Sequence, residues 1–184
     1  MSYETYSKTI ELAVKMNEKI ALSGGEPTIH PQFLSFLEMA IKKSKTKDYN
    51  ITPYVHTNGK NKRISLMLLE LAKKRKVVAG ISLDKWHDPI DEEVKRSFQL
   101  SQGFYVFVRD VSKSPDVAPQ KSGRCEDGYD FCPMFGTPFI DVDGSIHECG
   151  CENAPEIGHI ADQKAFLSKY KEHKWGCANN LPCP

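Results

Sequence analysis

Ile20-Ala21-Leu22-Ser23-Gly24-Gly25-Glu26-Pro27 is the stretch on which the fold turns. A short apolar run with no helical period breaks into glycine, acid and proline, and an amphipathic stretch opens a few residues later at Phe33. Such a run, bounded by Gly and Pro and followed by a helix, reads as a strand feeding a βα turn. Three more runs of this kind follow: Ile51 to Val55, Val77 to Leu83 and Phe104 to Val108. Their starts are about 25–30 residues apart, the length of a βα unit.

Helical spacing fills the intervals. Tyr6, Ile10, Ala13 and Val14 share one helix face. Phe33, Leu37, Ala40 and Ile41 repeat the pattern, with Pro31 suited to the first helical position, and Ile64, Met67, Leu68, Leu71 and Ala72 form a third stripe. Asp91 followed by Glu92 and Glu93 predicts the N-cap of a fourth helix, because acids offset the positive helix end. Apolar runs alternating with helices predict a parallel sheet buried on both faces. The fold class is therefore α/β.

Composition narrows the function. Among 184 residues, 25 Lys and Arg balance 24 Asp and Glu, which argues against a polybasic nucleic-acid arm and an acidic tail. With 40% hydrophobic and 27% charged residues the chain suits a globular domain and is too apolar for bulk disorder. No apolar run approaches the roughly 20 residues of a spanning helix, so no membrane partner is expected. Met1-Ser2-Tyr3-Glu4 carries neither the basic nor the apolar region of a secretory signal, and a cytoplasmic location is the expectation. The Lys42–Lys47 and Lys73–Lys76 clusters fall at predicted helix C-termini, where cations offset the macrodipole.

All 6 cysteines, Cys125, Cys132, Cys149, Cys151, Cys177 and Cys183, lie in the last third of the chain. Without a secretory signal such thiols point to metal or cluster ligation rather than disulfides. The predicted division is a cysteine-free segment 1–120 and a Cys-rich segment 121–184, joined by a Pro-containing stretch at 112–122. In the second segment Phe139 to Val142 and Ser145 to His147 flank Asp143-Gly144, a hairpin signal. Ala165 to Lys174 suits a terminal helix. The hairpin would bring Cys132 towards Cys149, and Cys177 with Cys183 could complete a four-thiolate site for an iron–sulfur cluster or zinc. Cys125 or Cys151 could replace any of these four. His147 is either a further zinc ligand or a surface residue.

Polar groups cluster where a parallel sheet places ligands, at the C-terminal ends of the strands. They are Gly24, Gly25 and Glu26 after the first strand, Thr57-Asn58-Gly59 after the second, Ser82 and Asp84 with His87 and Asp88 at the third, and Arg109-Asp110 at the fourth. Glycines let backbone approach a ligand, and Glu26 can accept from an ammonium group.

Ser23-Gly24-Gly25-Glu26-Pro27-Thr28 resembles the GGEP motif of radical S-adenosylmethionine enzymes. Thr57-Asn58-Gly59 and Ile81-Ser82-Leu83-Asp84 resemble later strand ends of that superfamily, in the same order. Cys132-x11-Gly144-x4-Cys149 resembles the opening of its SPASM/twitch extension, and Ile157-Gly158-His159-Ile160 a segment that commonly follows. The resemblance implies a partial (β/α)6 barrel that cleaves S-adenosylmethionine reductively to a 5′-deoxyadenosyl radical. That radical abstracts hydrogen from a peptide or small-molecule substrate, and a reducing electron donor is the other partner. It implies that Gly24, Gly25 and Glu26 line the methionine amino group and that Ser82, Asn58 and Asp84 face carboxylate or ribose. It also implies an auxiliary [4Fe–4S] cluster on Cys132, Cys149, Cys177 and Cys183. The family's Cys-x3-Cys-x2-Cys loop has no counterpart here, so the expectation is a barrel without its first strand and catalytic-cluster ligands. The alternative is a non-catalytic zinc- or cluster-binding module.

Overall fold

The computed structural model describes residues 1–45, 50–83, 89–110, 137–150 and 154–173. Asp84, His87, Asp88, the stretch 112–122 and Cys125, Cys132, Cys151, Cys177 and Cys183 lie outside the described residues. The chain groups into two compact units, residues 13–117 and residues 1–12 with 118–184, and the division falls inside the first helix, α1 (Tyr3–Met16).

The first unit is a parallel sheet of β1 (Ala21–Leu22), β2 (Tyr54–Thr57), β3 (Val78–Leu83) and β4 (Val106–Asp110), in that spatial order. Each of the first three strands leads to a helix: α2 (Phe33–Lys43), α3 (Lys62–Lys73) and α4 (Glu92–Leu100). The predicted βα alternation is present.

Two strand positions differ from expectation. The second run becomes a strand only at Tyr54, because Pro53 has no N–H to give to a ladder. The Pro53 carbonyl still accepts from the Val78 N–H at 2.7 Å. The fourth begins at Val106, after a turn in which Gly103 N–H donates to the Val106 carbonyl, and leaves Phe104 87% exposed. Pro31 does not open α2, whose N-cap is Gln32. The proline that starts a helical turn is Pro27, in the 3-10 turn Pro27–Ile29.

The sheet's two faces are unlike, which corrects the expectation that both are buried under helices. Leu22, Val55, Thr57, Ala79, Ile81 and Val106 are buried, and with the buried sides of α3 and α4 they form the core. Parallel register places Tyr54, His56, Gly80, Ser82, Phe107 and Arg109 on the opposite face. There, all but Gly80 are only half-buried.

The starts of α3 and α4 are tied together. Asp91 caps α4 through Oδ1, accepting from Glu93 N–H at 2.9 Å and Val94 N–H at 3.4 Å. Lys62 Nζ bridges Asp91 at 3.0 Å and Glu93 at 2.7 Å. The Lys62 hydrogen bond holds the Asp91 carboxyl below the ordinary aspartate value.

In the second unit β5 (Phe139–Ile140), β6 (Ser145–His147) and β7 (Glu156–His159) form an antiparallel sheet. β5 and β6 form the predicted hairpin, but β5 ends at Ile140 and the connection is the four residues 141–144 rather than Asp143-Gly144 alone. The Gly144 N–H donates to the Asp141 carbonyl at 3.1 Å, and Asp143 Oδ1 accepts from the Ser145 N–H at 2.9 Å. This bond keeps the Asp143 carboxyl low. The sequence pattern does not announce β7 as a strand. The Ile160 N–H just beyond it donates to the Gly144 carbonyl at 2.8 Å. The last helix, α5 (Gln163–Tyr170), begins and ends earlier than predicted, with Asp162 Oδ1 capping the Ala165 N–H at 3.1 Å. Among the described residues no helix is long and apolar enough to cross a membrane.

Candidate functional site

The loops after β1 and β2 meet through one side chain. Glu26 Oε1 accepts from Thr28 N–H at 3.0 Å, Thr28 Oγ1 at 2.7 Å and Thr57 Oγ1 at 2.7 Å. Its Oε2 accepts from the Asn58 N–H at 2.6 Å. Oε1 thus meets three donors and Oε2 one, which leaves Oε2 able to accept once more. The glutamate expected to line an ammonium group also clasps two loops.

The clasp is extended on both sides. Thr57 Oγ1, while donating to Glu26, accepts from the Gly59 N–H at 3.1 Å. Asn58 Oδ1 accepts from the Lys60 N–H at 3.0 Å, and Asn61 caps α3 through the Ile64 N–H at 3.3 Å. Asn61 Nδ2 also donates to the Thr28 carbonyl at 3.4 Å, a second tie between the loops. Thr28 and Thr57 are 5% and 2% exposed, so water is not a ready substitute for these bonds.

Gly24 and Gly25 precede the clasp and are exposed. Their φ angles of 91° and 48° lie in the left-handed region, where a side chain is strained, and an added Cβ at either would meet nothing within 4 Å. Their glycine identity follows from backbone conformation rather than packing.

On the half-buried sheet face, Ser82 Oγ lies 2.8 Å from His56 Nε2. Tyr54 OH is 3.4 Å from the other ring nitrogen, Nδ1. Phe107 meets His56 edge-on, with ring centroids 5.3 Å apart, and stacks on Tyr54 at 5.2 Å with planes 12° apart. The Phe107 ring occupies the space above Gly80, where an ideal Cβ would stand 1.8 Å from Cζ. Gly80 is therefore the seat of Phe107.

Gly24, Gly25, Glu26, Asn58 and Ser82 thus stand at or near the C-terminal strand ends, as the strand order predicts, while Asp84 is not among the described residues. Sequence reasoning misses His56. Its signal lies in strand alternation, which puts residue 56 beside 54 on one face, but the apolar run that marks the strand stops at Val55.

Of the expected thiol set only Cys149 is described, 6% exposed and just beyond β6. Its neighbour Glu148 is also 6% exposed and lies 2.5 Å from His173 Nε2. His147 Nδ1 is 3.2 Å from the Ala154 carbonyl oxygen. Among the described residues no three His, Cys, Asp or Glu side chains group as metal ligands. Comparison of the chain with models of protein families, with curated proteins and with solved structures finds no match.

Proposed function

We propose that this chain carries the S-adenosylmethionine-binding part of a radical S-adenosylmethionine protein, with an auxiliary [4Fe–4S] cluster held by its C-terminal cysteines. The proposed architecture is a partial (β/α)6 barrel whose described strands are β1 to β4. The observation that carries the reading is the Glu26 clasp, which fixes a left-handed Gly-Gly bend and the Asn58 loop side by side at the strand ends.

In this reading Gly24, Gly25 and Glu26 line the methionine ammonium, to which Glu26 Oε2 can still accept, and the clasp holds this loop in place. Asn58 and Ser82 meet carboxylate or ribose oxygens, and Asp84 completes the rim. Binding at a preformed rim limits the ordering cost that a loose loop would add. Bound at its catalytic cluster, the cofactor would supply the 5′-deoxyadenosyl radical that abstracts hydrogen from a peptide or small-molecule substrate, with electrons from a reducing donor. The sequence contains no Cys-x3-Cys-x2-Cys, so the part assigned to this chain is binding and orientation. A cytoplasmic setting suits its thiols.

Calorimetric titration of the full chain with S-adenosylmethionine tests the first half. Saturable binding to one site is expected, and the absence of binding at millimolar cofactor would remove the reading. The second half predicts that anaerobic reconstitution with iron and sulfide loads the chain, and that Cys149→Ser loses most of that iron. Equal iron in both proteins would dismiss Cys149 as a ligand.

A further inference from the structure

Resting on that cofactor reading, we infer that His56 is a positioning residue of the site, one that fixes the direction of the Ser82 hydroxyl towards the bound ligand. His56 and Ser82 are on neighbouring parallel strands, and register places Ser82 on the same face, one step nearer the strand ends. A serine side chain can otherwise turn among its staggered rotamers. A neutral imidazole donates from one nitrogen and accepts at the other. With Tyr54 OH 3.4 Å from Nδ1 and Ser82 Oγ 2.8 Å from Nε2, the ring sits between two hydroxyls, and the shorter contact holds Ser82 Oγ in one direction.

The ring is held from several sides. Phe107 lies edge-on to it, Tyr54 stacks on Phe107, and Phe107 is seated over Gly80 in the same lateral row as His56. A residue this constrained, ending on a half-buried hydroxyl at the ligand end of the sheet, is built to orient that hydroxyl rather than to fill volume. Its neighbours form a chain of support that runs from Gly80 through Phe107 and His56 to Ser82.

The test is calorimetric titration of the full chain with S-adenosylmethionine in wild type, His56→Leu, His56→Gln, Ser82→Ala and the double variant His56→Leu/Ser82→Ala. His56→Leu is expected to weaken binding about tenfold, as the loss of one oriented hydrogen bond does. His56→Gln should return to within about threefold of wild type, since its amide can reach Ser82 with either polarity. The double variant should bind no more weakly than the weaker single variant, because both remove one shared contact. Circular dichroism on each variant checks that the fold is kept. Wild-type binding with His56→Leu unchanged, no rescue by Gln, or losses that simply add would each overturn the assignment of His56 while leaving the cofactor reading in place. No binding by wild type would overturn both.

Discussion

Gly80→Ala is expected to lower the stability of the first unit by about 2–3 kcal/mol, at the upper end of the cost of overpacking. The new methyl would fall 1.8 Å from Phe107 Cζ and 2.3–2.5 Å from its Cε atoms, distances that real Cβ atoms do not tolerate. The obstacle is a ring held between Tyr54 and His56, and not the free end of a flexible chain. Gly80 and Phe107 are direct partners in the β3–β4 register, so the strands must part or the ring must leave the face. A domain near 100 residues loses about 4–8 °C of melting temperature per kcal/mol, so a fall of roughly 10–20 °C is expected. Phe107→Ala in the same chain removes the obstacle. The double variant should therefore be more stable than the two separate losses predict, a coupling that thermal denaturation of all four proteins would measure. A Gly80→Ala protein that melts with wild type would show that Phe107 is not seated there.

Glu26→Ala is expected to be the most damaging single change at the strand ends, in both stability and binding. It removes the acceptor of four donors at once, and two of these belong to side chains that are 5% and 2% exposed. Hydrogen bonds to a carboxylate contribute about 1.5–3 kcal/mol each, but the loop can relax and recover part of that. A net loss of about 2–4 kcal/mol is the expected outcome of chemical denaturation. Affinity for S-adenosylmethionine should fall at least tenfold, because the Gly24–Gly25 bend loses its anchor. Glu26→Gln keeps the shape but turns one acceptor into an amide NH2 that faces a donor, so it should recover little of either. Full stability in Glu26→Gln would mean that the carboxylate is not the element joining the loops.

These two effects show where sequence reading reaches and where it stops. The β1 turn is legible because Gly-Gly-Glu-Pro after an apolar run has few other conformations open to it, and α4 because Asp91 is a strong cap before acids. The rim residues Glu26, Asn58 and Ser82 follow from strand order alone. What Glu26 does there is not legible. Thr57 lies 31 residues away, and the two meet only because β1 and β2 are neighbours in the sheet.

The half-buried face escapes for a different reason. Val-Ala-Gly-Ile-Ser-Leu reads as continuous apolar strand, and nothing local reveals that Gly80 is covered by a ring from β4 rather than by a helix. β7 is short, contains Gly158 and has no alternation, so only its pairing with β6 makes it a strand. The hairpin at Asp143-Gly144, by contrast, can be read from local turn chemistry, although its connection spans residues 141–144 rather than two.

The central claim is that S-adenosylmethionine binds at the ends of β1, β2 and β3. Amide-resolved NMR of the full chain during titration with that compound tests it most directly. The expected result is saturable shifts at Gly24, Gly25, Asn58, Gly59 and Ser82, with the amides of β5, β6 and β7 unmoved. Saturation with shifts confined to other residues, or no shifts at millimolar ligand, would contradict it.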